Sequence, residues 1–466
     1  MRTNYTKIVA TLGPSSMSFS TIEEMVQAGA DVFRLNFSHG KYKEFKKMVD
    51  CARKAAEKHK RIIAIMQDLQ GPKIRLGKLP QDGIKIKNGQ KVILGGKEIP
   101  IQYKNLSKEV KKGDRIFIDD GLIQLVVSKV KGNEINCIAK TSGTLYSNKG
   151  INAPDSQISA SSITPKDVKD LKFGIKLKVD YVALSFVKSA QDIKDLRQII
   201  KKKSGSHPKI VAKIERAEAV EKMEEIIRET DAVMVARGDL GIEIKPERIP
   251  IVQKAIIKLA NRYAKPVITA TQVLASMVTN PRPTRAEISD AANAIFDYTD
   301  AIMLSNETAV GKHPVSAVKV LARVISEVEN EQKKHVEIFQ SEIQNKDDPE
   351  LNATCLSACE LAVESKATKI IAHSFDGFTI RNLVRHRLFT PVIAVTPNSK
   401  LIPELSLVWG INKVLYKKFT QRELVKGNFS EKLVTALLKI GAINKGERVV
   451  IVYNAQNKGS IASLKV

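Results

Sequence analysis

Cysteine is scarce, tryptophan occurs once, and no apolar stretch approaches the ~20 residues needed to cross a bilayer. The four cysteines, Cys51, Cys137, Cys355 and Cys359, form no C-x-x-C pair. Cys355 and Cys359 lie four apart on one face of a predicted helix, with no further Cys or nearby His. A structural zinc site and a disulfide framework are therefore excluded, and the thiols read as small buried residues of a reducing compartment. The chain reaches its first strand by Thr6 with no apolar signal core, so a cytoplasmic location is expected and no membrane association. Aromatic residues make up 5% of the chain, which suits an aliphatic α/β interior better than a base-stacking surface. Acidic residues are outnumbered 50 to 76 by Lys and Arg, for a formal net charge of +26. Such a charge raises a nucleic-acid reading. The lysines are dispersed, however, the longest run is Lys201–Lys203, and aromatics are not interleaved with them. No nucleic-acid partner is expected. A positive field that attracts anionic substrates and a merely Lys-rich composition both fit the charge.

What is present is a series of eight short apolar runs: 6–13, 31–40, 61–71, 180–187, 209–215, 231–241, 266–272 and 300–311. They alternate with helix signals, the arithmetic of an α/β (β/α)8 TIM barrel, in which the active site lies where the strands end. Arg34, Asn36, Ser38, Asp68, Lys213, Glu215, Asp239, Thr271 and Glu307 are thereby expected at one mouth. Ser20 with Glu23 reads as a capping box closed by Gly29, Thr164-Pro165 opens another helix, Thr284 with Glu287 repeats the box, and His313-Pro314 starts a long helix. Four strands are entered through an aspartate: Asp31, Asp180, Asp231 and Asp300.

From 73 to 163 the alternation breaks. No convincing helix occurs there. Short alternating segments such as IKIKNGQKVIL and DRIFIDDGLIQLVV, separated by Asn-Gly, Lys-Gly and Gly-Asn turns, predict a small all-β domain, a β-barrel lid over the mouth. A polar, aperiodic stretch after about 337 reads as a linker. A second α/β pattern follows, with helices at 351–365, 377–387, 400–410 and 421–440 between short apolar strands. The expected division is thus a barrel from 1–72 and 164–337, a lid from 73–163, and a C-terminal α/β domain from 338–466.

Glu215 and Asp239 end adjacent predicted strands. Two carboxylates a strand spacing apart suit Mg2+, which takes one or two carboxylates plus substrate oxygens and water. Lys213, two residues before Glu215, points to the same face, and a lysine beside such a metal neutralises a transferring phosphoryl group. The bland alternative is a surface Lys-Glu pair. Arg34, Asn36 and Ser38 share a face with Asp68 on the next strand; their oxygens suit a hard cation and Arg34 a phosphate. In ARGDLG, glycines around Asp239 let backbone amides approach an anion at a helix start.

TKIVATLGPSS, RLNFSHG, QDLQGPKIR, AKIE, ARGDLG, TATQVLASM, NPRPTRAEISD and MLSNETA stand in the order and spacing of the pyruvate kinase family, which the chain resembles over residues 5–320. The resemblance implies transfer of the phosphoryl group of phosphoenolpyruvate to ADP, giving pyruvate and ATP, in the last step of glycolysis. It implies that Lys213 is the principal catalytic cation, with Arg34 on the same phosphoryl group, and that Glu215 and Asp239 hold Mg2+ or Mn2+. It implies that the amides of Gly238 and Asp239, with Thr271, bind the substrate carboxylate, and that Thr271 lies near the enolate carbon where a proton is delivered. Pro14, Asn36, His39, Arg75 and Lys149 match nucleotide positions. Asn36, Ser38, Asp68 and the Leu69 carbonyl match a K+ site. A homotetramer and a phosphorylated effector on the C-terminal domain are further family traits.

Three departures stand out. Where K+-requiring members commonly read D-T-K-G-P-E-I-R-T, this chain has Leu69, Gln70, Lys73 and Leu76, a combination that resembles the K+-independent branch. The Lys73 ammonium is expected to replace the K+ charge; the alternative is a solvated hinge lysine with K+ retained. The effector loop reads His373-Ser374-Phe375-Asp376-Gly377-Phe378, bulkier and more acidic than a good phosphate nest, which puts fructose bisphosphate in doubt and leaves another sugar phosphate, AMP or no effector open. Asn306 stands where glycine or alanine is usual. A catalytically poor family member serving as a scaffold is the competing reading, opposed by the presence of Lys213, Glu215, Asp239, Arg34 and Thr271.

Overall fold

The computed structural model describes residues 4–203, 208–335, 338, 348–419, 423, 428–455 and 458–466. Eight strands close into a parallel barrel: β1 (Lys7–Leu12), β2 (Val32–Asn36), β3 (Ala64–Asp68), β4 (Tyr181–Leu184), β5 (Lys209–Ile214), β6 (Ala232–Ala236), β7 (Val267–Ala270) and β8 (Ala301–Leu304). The ladder runs in sequence order around the barrel, and β1 pairs with both β2 and β8. The strands are buried on both faces, so they read as continuous apolar runs rather than alternating ones.

Local chemistry sets the helix starts. Thr164 caps Pro165–Lys176 with Asp167, and Thr284 caps Arg285–Phe296 with Glu287, each a reciprocal capping box. His313 precedes Pro314–Gln332 as expected. The first helix differs: its cap is Ser18, which accepts from the Thr21 amide, and not Ser20. Ser18 is reached first and satisfies the same orphan amides one half-turn earlier. Gly29 ends this helix at φ 113°.

The strand-entering aspartates share one device. Asp31, Asp180, Asp231 and Asp300 accept the amides of Ile8, Ile65, Ile210 and Val267 at 2.9, 2.7, 2.9 and 3.0 Å. Each carboxylate thus sews the start of its strand to a neighbour at the floor of the barrel. Asp300 also receives the buried guanidinium of Arg387 from the C-terminal segment.

That segment is a five-stranded sheet flanked by helices; its strands Lys369–His373, Val392–Thr396, Ile411–Tyr416 and Arg448–Ala455 are parallel. Lys458–Lys465 pairs antiparallel with Arg448–Ala455, an edge strand whose small, polar sequence gave no strand signal. The expected helix 400–410 is shorter: Leu401–Glu404 gives way to a 3₁₀ turn, Leu405–Leu407, and Gly410 turns the chain at φ 75°. This break drives Leu407 into the barrel floor, where it is fully buried among Val9, Val32, Met66, Met234 and Ile268. The predicted helix 421–440 is observed over Phe429–Lys439; its first residues, apart from 423, and most of the predicted linker lie outside the described residues. Cys355 and Cys359 are buried free thiols inside Pro349–Glu364, and burial pushes Cys355 up to about 12.

The segment between β3 and the helix Pro165–Lys176 contains a five-stranded antiparallel sheet and a two-stranded ribbon, Ile84–Ile86 with Gly143–Leu145, packed on one aliphatic core. One short helical turn, Leu106–Glu109, interrupts the expected all-β pattern.

Because Leu407 is the plug contributed from outside the barrel, Leu407→Ala is expected to lower stability by about 2–5 kcal/mol, read as a lower denaturant midpoint. An unchanged midpoint would show that the floor is closed without it.

Candidate active site

The mouth is built from the last residues of the strands and the turns after them. Asp68, at the end of β3, is buried and lies opposite Asn36 in the β2–β3 register. It accepts from Arg34 Nε at 2.7 Å and lies 2.7 Å from Arg34 Nη2, while Lys213 Nζ lies 3.5 Å from its other oxygen. Arg34 Nη1 donates to Thr11 Oγ1 at 3.1 Å. Lys213 Nζ donates to Ser185 Oγ at 2.7 Å and sits 3.2 Å from Glu215 Oε2. Ser185 in turn donates to the Leu69 carbonyl at 2.7 Å.

Burial opposes the charge on Asp68, yet Lys213 and Arg34 outweigh it and hold the carboxyl below its ordinary range. Burial also works against the Lys213 ammonium, but Asp68, Glu215 and Asp239 together keep it above its usual value. Glu215 goes the other way: burial pushes it up to about 7 despite Lys213, with Asp239 adding to the rise. Its Oε1 accepts from the Phe186 amide at 2.7 Å, whereas buried Oε2 has no hydrogen-bond partner. A buried carboxylate oxygen left in this state beside the half-buried Asp239 fits a divalent cation, which takes oxygen ligands from one or two carboxylates. Among the described residues no group of three or more His, Cys, Asp or Glu side chains is placed to hold a metal.

On the far side of the mouth, Thr271 follows β7 in the left-handed region at φ 68°, as does Gln272 at 54°. Thr271 Oγ1 accepts from the Gly238 amide at 2.7 Å and donates to the Ala270 carbonyl at 2.6 Å. Gly238 and Asp239 open the short helix Arg237–Glu243 directly after β6. Glu307 converges on the mouth as expected, but its carboxylate is spent on the amides of Leu274 and Ser305, at 3.1 and 2.7 Å. It holds two loops, with one amide on each carboxylate oxygen, at the edge of the cleft that Thr271 also lines.

The segment that follows β3 brings Lys73, Arg75 and Lys149. Lys73 Nζ lies 3.9 Å from Asp239 and 3.7 Å from Asp120, in a cleft of about 310 Å³ that Thr271 also lines. Arg75 donates to the Asn148 carbonyl, and Lys149 pairs with Asp119 at 2.8 Å. His39 is held below its normal value by partial burial and by the positive field of Arg75, Lys73, Lys166 and Arg34. Pro14 is exposed in the turn after β1. Of the K+ candidates, Asn36 Oδ1 accepts from the Ser38 amide at 3.1 Å, the Leu69 carbonyl accepts from Ser185, and Asp68 faces Arg34 and Lys213. Gly71, in the turn leading to Lys73, has φ 67°, and a Cβ there would lie 2.8 Å from the Phe186 ring. Only glycine fits there.

Sequence reading missed Thr11, Ser185, Lys166 and Arg237. Ser185 had a readable signal, as the polar end of the fourth apolar run. Lys166, Nζ of which donates to the Phe37 carbonyl at 2.7 Å, had none, because a helix-start lysine is ordinary.

A closed (β/α)8 barrel with paired carboxylates, a buried lysine and arginine, and backbone amides at its mouth defines an enzyme for an anionic, phosphorylated class of substrate. Two family models match the chain: the pyruvate kinase barrel domain over residues 3–318 and the pyruvate kinase alpha/beta domain over 352–466. The pyruvate kinase of Thermotoga maritima is 40% identical over 470 residues, covering 99% of this chain and 98% of that protein. Pyruvate kinase 2 of Synechocystis is 43% identical over 421 residues, covering 88% of this chain and 70% of that protein. The crystal structure of a pyruvate kinase from Cryptosporidium parvum superposes with a TM-score of 0.91 at 31% identity, over 99% of this chain and 96% of that one. The chain belongs to the pyruvate kinase family.

Asp68→Asn removes the buried anion between two cations, so a loss of about 3–5 kcal/mol is expected near pH 6. The folded carboxyl is depressed, so its contribution is fully present above the unfolded value of about 3.9 and fades as pH falls through the lower folded value. The stability gap between wild type and Asp68→Asn should therefore narrow in acid denaturation below about pH 4; a gap that widens there would contradict this assignment.

Proposed function

We propose that the mouth described above carries out the family's reaction with Lys213 and Arg34 on the transferring phosphoryl group. The chain acts as a pyruvate kinase: it moves the phosphoryl group of phosphoenolpyruvate to ADP, giving pyruvate and ATP. The observation that carries the site assignment is the Arg34–Asp68–Lys213–Glu215 network. Phosphoryl transfer needs positioning and charge neutralisation more than covalent help. Arg34 and Lys213 supply two cations whose orientation is set by a buried carboxylate, so little reorganisation is left when a phosphoryl group arrives.

Glu215 and Asp239 are the residues to hold the divalent cation, Mg2+ or Mn2+. When bound, that ion supplies Lewis-acid neutralisation of phosphoryl and enolate oxygens. The Gly238 and Asp239 amides and the Thr271 hydroxyl take the substrate carboxylate, which places the enolate carbon near Thr271 for protonation. His39, Arg75 and Lys149, with Pro14 and Asn36, form the nucleotide side, and the field that depresses His39 is one that attracts polyphosphate. The segment 73–163 acts as the lid, joined to the barrel by the Asn152–Glu243 hydrogen bond of 2.9 Å.

Lys73 is the built-in cation that makes K+ dispensable. Its ammonium stands within ion-pair distance of Asp239, inside the cleft. In the C-terminal segment, Asp376 accepts the Phe378 amide at 2.9 Å, so a donor that a phosphate would use already faces a carboxylate. This carboxylate disfavours fructose bisphosphate at the loop, and another sugar phosphate, AMP or no effector stays open. A homotetramer is the proposed assembly.

Pyruvate release from phosphoenolpyruvate, ADP and Mg2+ in tetramethylammonium buffer, with and without K+, tests this reading. Equal turnover is expected; turnover only with K+ would overturn the Lys73 assignment, and none in either would overturn the catalytic one. Because metal must displace the proton that burial keeps on Glu215, Mn2+ affinity should fall roughly tenfold per pH unit below about 7. Glu215→Gln should abolish the tight site. Titration of Mn2+ by electron paramagnetic resonance between pH 8 and pH 6 reads both, and a pH-independent affinity would count against Glu215 as ligand.

A further inference from the structure

Two consecutive non-glycine residues in the left-handed region, Thr271 and Gln272, follow β7. Such backbone is strained and persists only where the surroundings enforce it. The enforcing group is Arg237. Its Nε donates to the Ala270 carbonyl at 3.2 Å and its Nη2 to the Thr271 carbonyl at 2.8 Å, gripping the peptides on both sides of the Thr271 α-carbon. The third nitrogen, Nη1, donates to Asp290 Oδ1 at 2.7 Å on the helix Arg285–Phe296, with Gln253 Oε1 at 3.3 Å. The guanidinium side chain is 10% exposed, so Asp290 is its counter-charge as well as its orienting partner. In the reverse direction, the Thr271 hydroxyl binds the amide of Gly238, the residue after Arg237. The ends of β6 and β7 are therefore joined in a closed loop of hydrogen bonds, through one side chain outward and one hydroxyl back.

We propose that Arg237, aimed by Asp290, is a positioning residue that sets the Thr271 hydroxyl and the Gly238 amide in register for the substrate. The inference rests on the reading of Thr271 and Gly238 as substrate-contacting groups. A lysine cannot reproduce it, because one ammonium cannot reach two carbonyls and a carboxylate in the planar fork that guanidinium provides. Asp290 itself does not touch the reacting atoms. Its effect passes through Arg237 to Thr271, and that path is what a test must isolate.

The test is steady-state kinetics on Asp290→Ala, Asp290→Asn, Arg237→Lys, Thr271→Ala and the Asp290→Ala/Thr271→Ala double variant, each normalised to folded protein by thermal denaturation. Misplacing a reacting group by a fraction of an ångström to an ångström lowers turnover by about 10-fold to 100-fold. Asp290→Ala and Arg237→Lys should lose turnover in that range, with KM for ADP within about twofold of wild type. Asp290→Asn should recover most of it, since its side-chain carbonyl still accepts from Nη1. In the Thr271→Ala background, removing Asp290 should cost less than about twofold, because the group it positions is gone. Unchanged turnover in Asp290→Ala and Arg237→Lys, beside an impaired Thr271→Ala, would overturn the positioning role and leave the site reading intact. So would a Asp290→Ala deficit that carries undiminished into the Thr271→Ala background. An unimpaired Thr271→Ala would overturn the reading of Thr271 and this inference with it.

Discussion

Asp68 is the buried charge around which the mouth is organised. One carboxylate at the end of β3 faces Arg34 from β2 and Lys213 from β5. It offsets the cost of keeping both cations dry, a load it shares at Lys213 with Glu215, since an unpaired buried charge is expensive and shifts its proton balance instead. Ser185 from the end of β4 completes the arrangement by bridging Lys213 to the Leu69 carbonyl. Four strand ends are thereby fixed to each other by charge and hydrogen bonds rather than by apolar packing. The barrel's aliphatic layers below provide the rigidity that makes such pairing worthwhile.

The same logic appears in mirror image at the other end of the barrel. Aspartates at the strand entries satisfy neighbouring amides, and Asp300 adds the Arg387 guanidinium, which itself lies over the Trp409 ring. Lys7 is fully buried and reaches the Ile411 carbonyl and the Asn412 side chain. With Leu407 in the floor, the C-terminal segment completes the core of the barrel. A domain that is separate in sequence is mechanically part of the catalytic fold, so displacement of it would be felt at the strands that carry the mouth.

Much of this was legible from residue order. The eight apolar runs gave the barrel because buried parallel strands are unbroken in hydrophobicity, and polar residues at their ends named Arg34, Asp68, Lys213, Glu215, Asp239 and Thr271. The two-residue spacing of Lys213 and Glu215 did place both groups on one face, 3.2 Å apart. Thr164 and Thr284 announced their helices because a capping box is local chemistry. The first cap was misplaced by two residues, since SFST offers two serines and only the path of the chain chooses between them.

Glu307 shows the limit most clearly. By position it belongs at the mouth and it is there, yet each of its carboxylate oxygens also holds a loop amide. Sequence by itself determined which element types form, in what order, and which polar residues stand at the ends of strands, because hydrophobic period, caps and turns are short-range physics. Tertiary structure alone decided how each of those polar groups is used. It left one oxygen of Glu215 with an ion pair to Lys213 but no hydrogen bond, tied Asp68 to two cations, set Arg237 across two strands, and sent Leu407 into a barrel floor whose nearest residue in sequence, Met303, lies about a hundred positions earlier. Those outcomes depend on which atoms meet across the fold, and burial and charge then fix what each group can do.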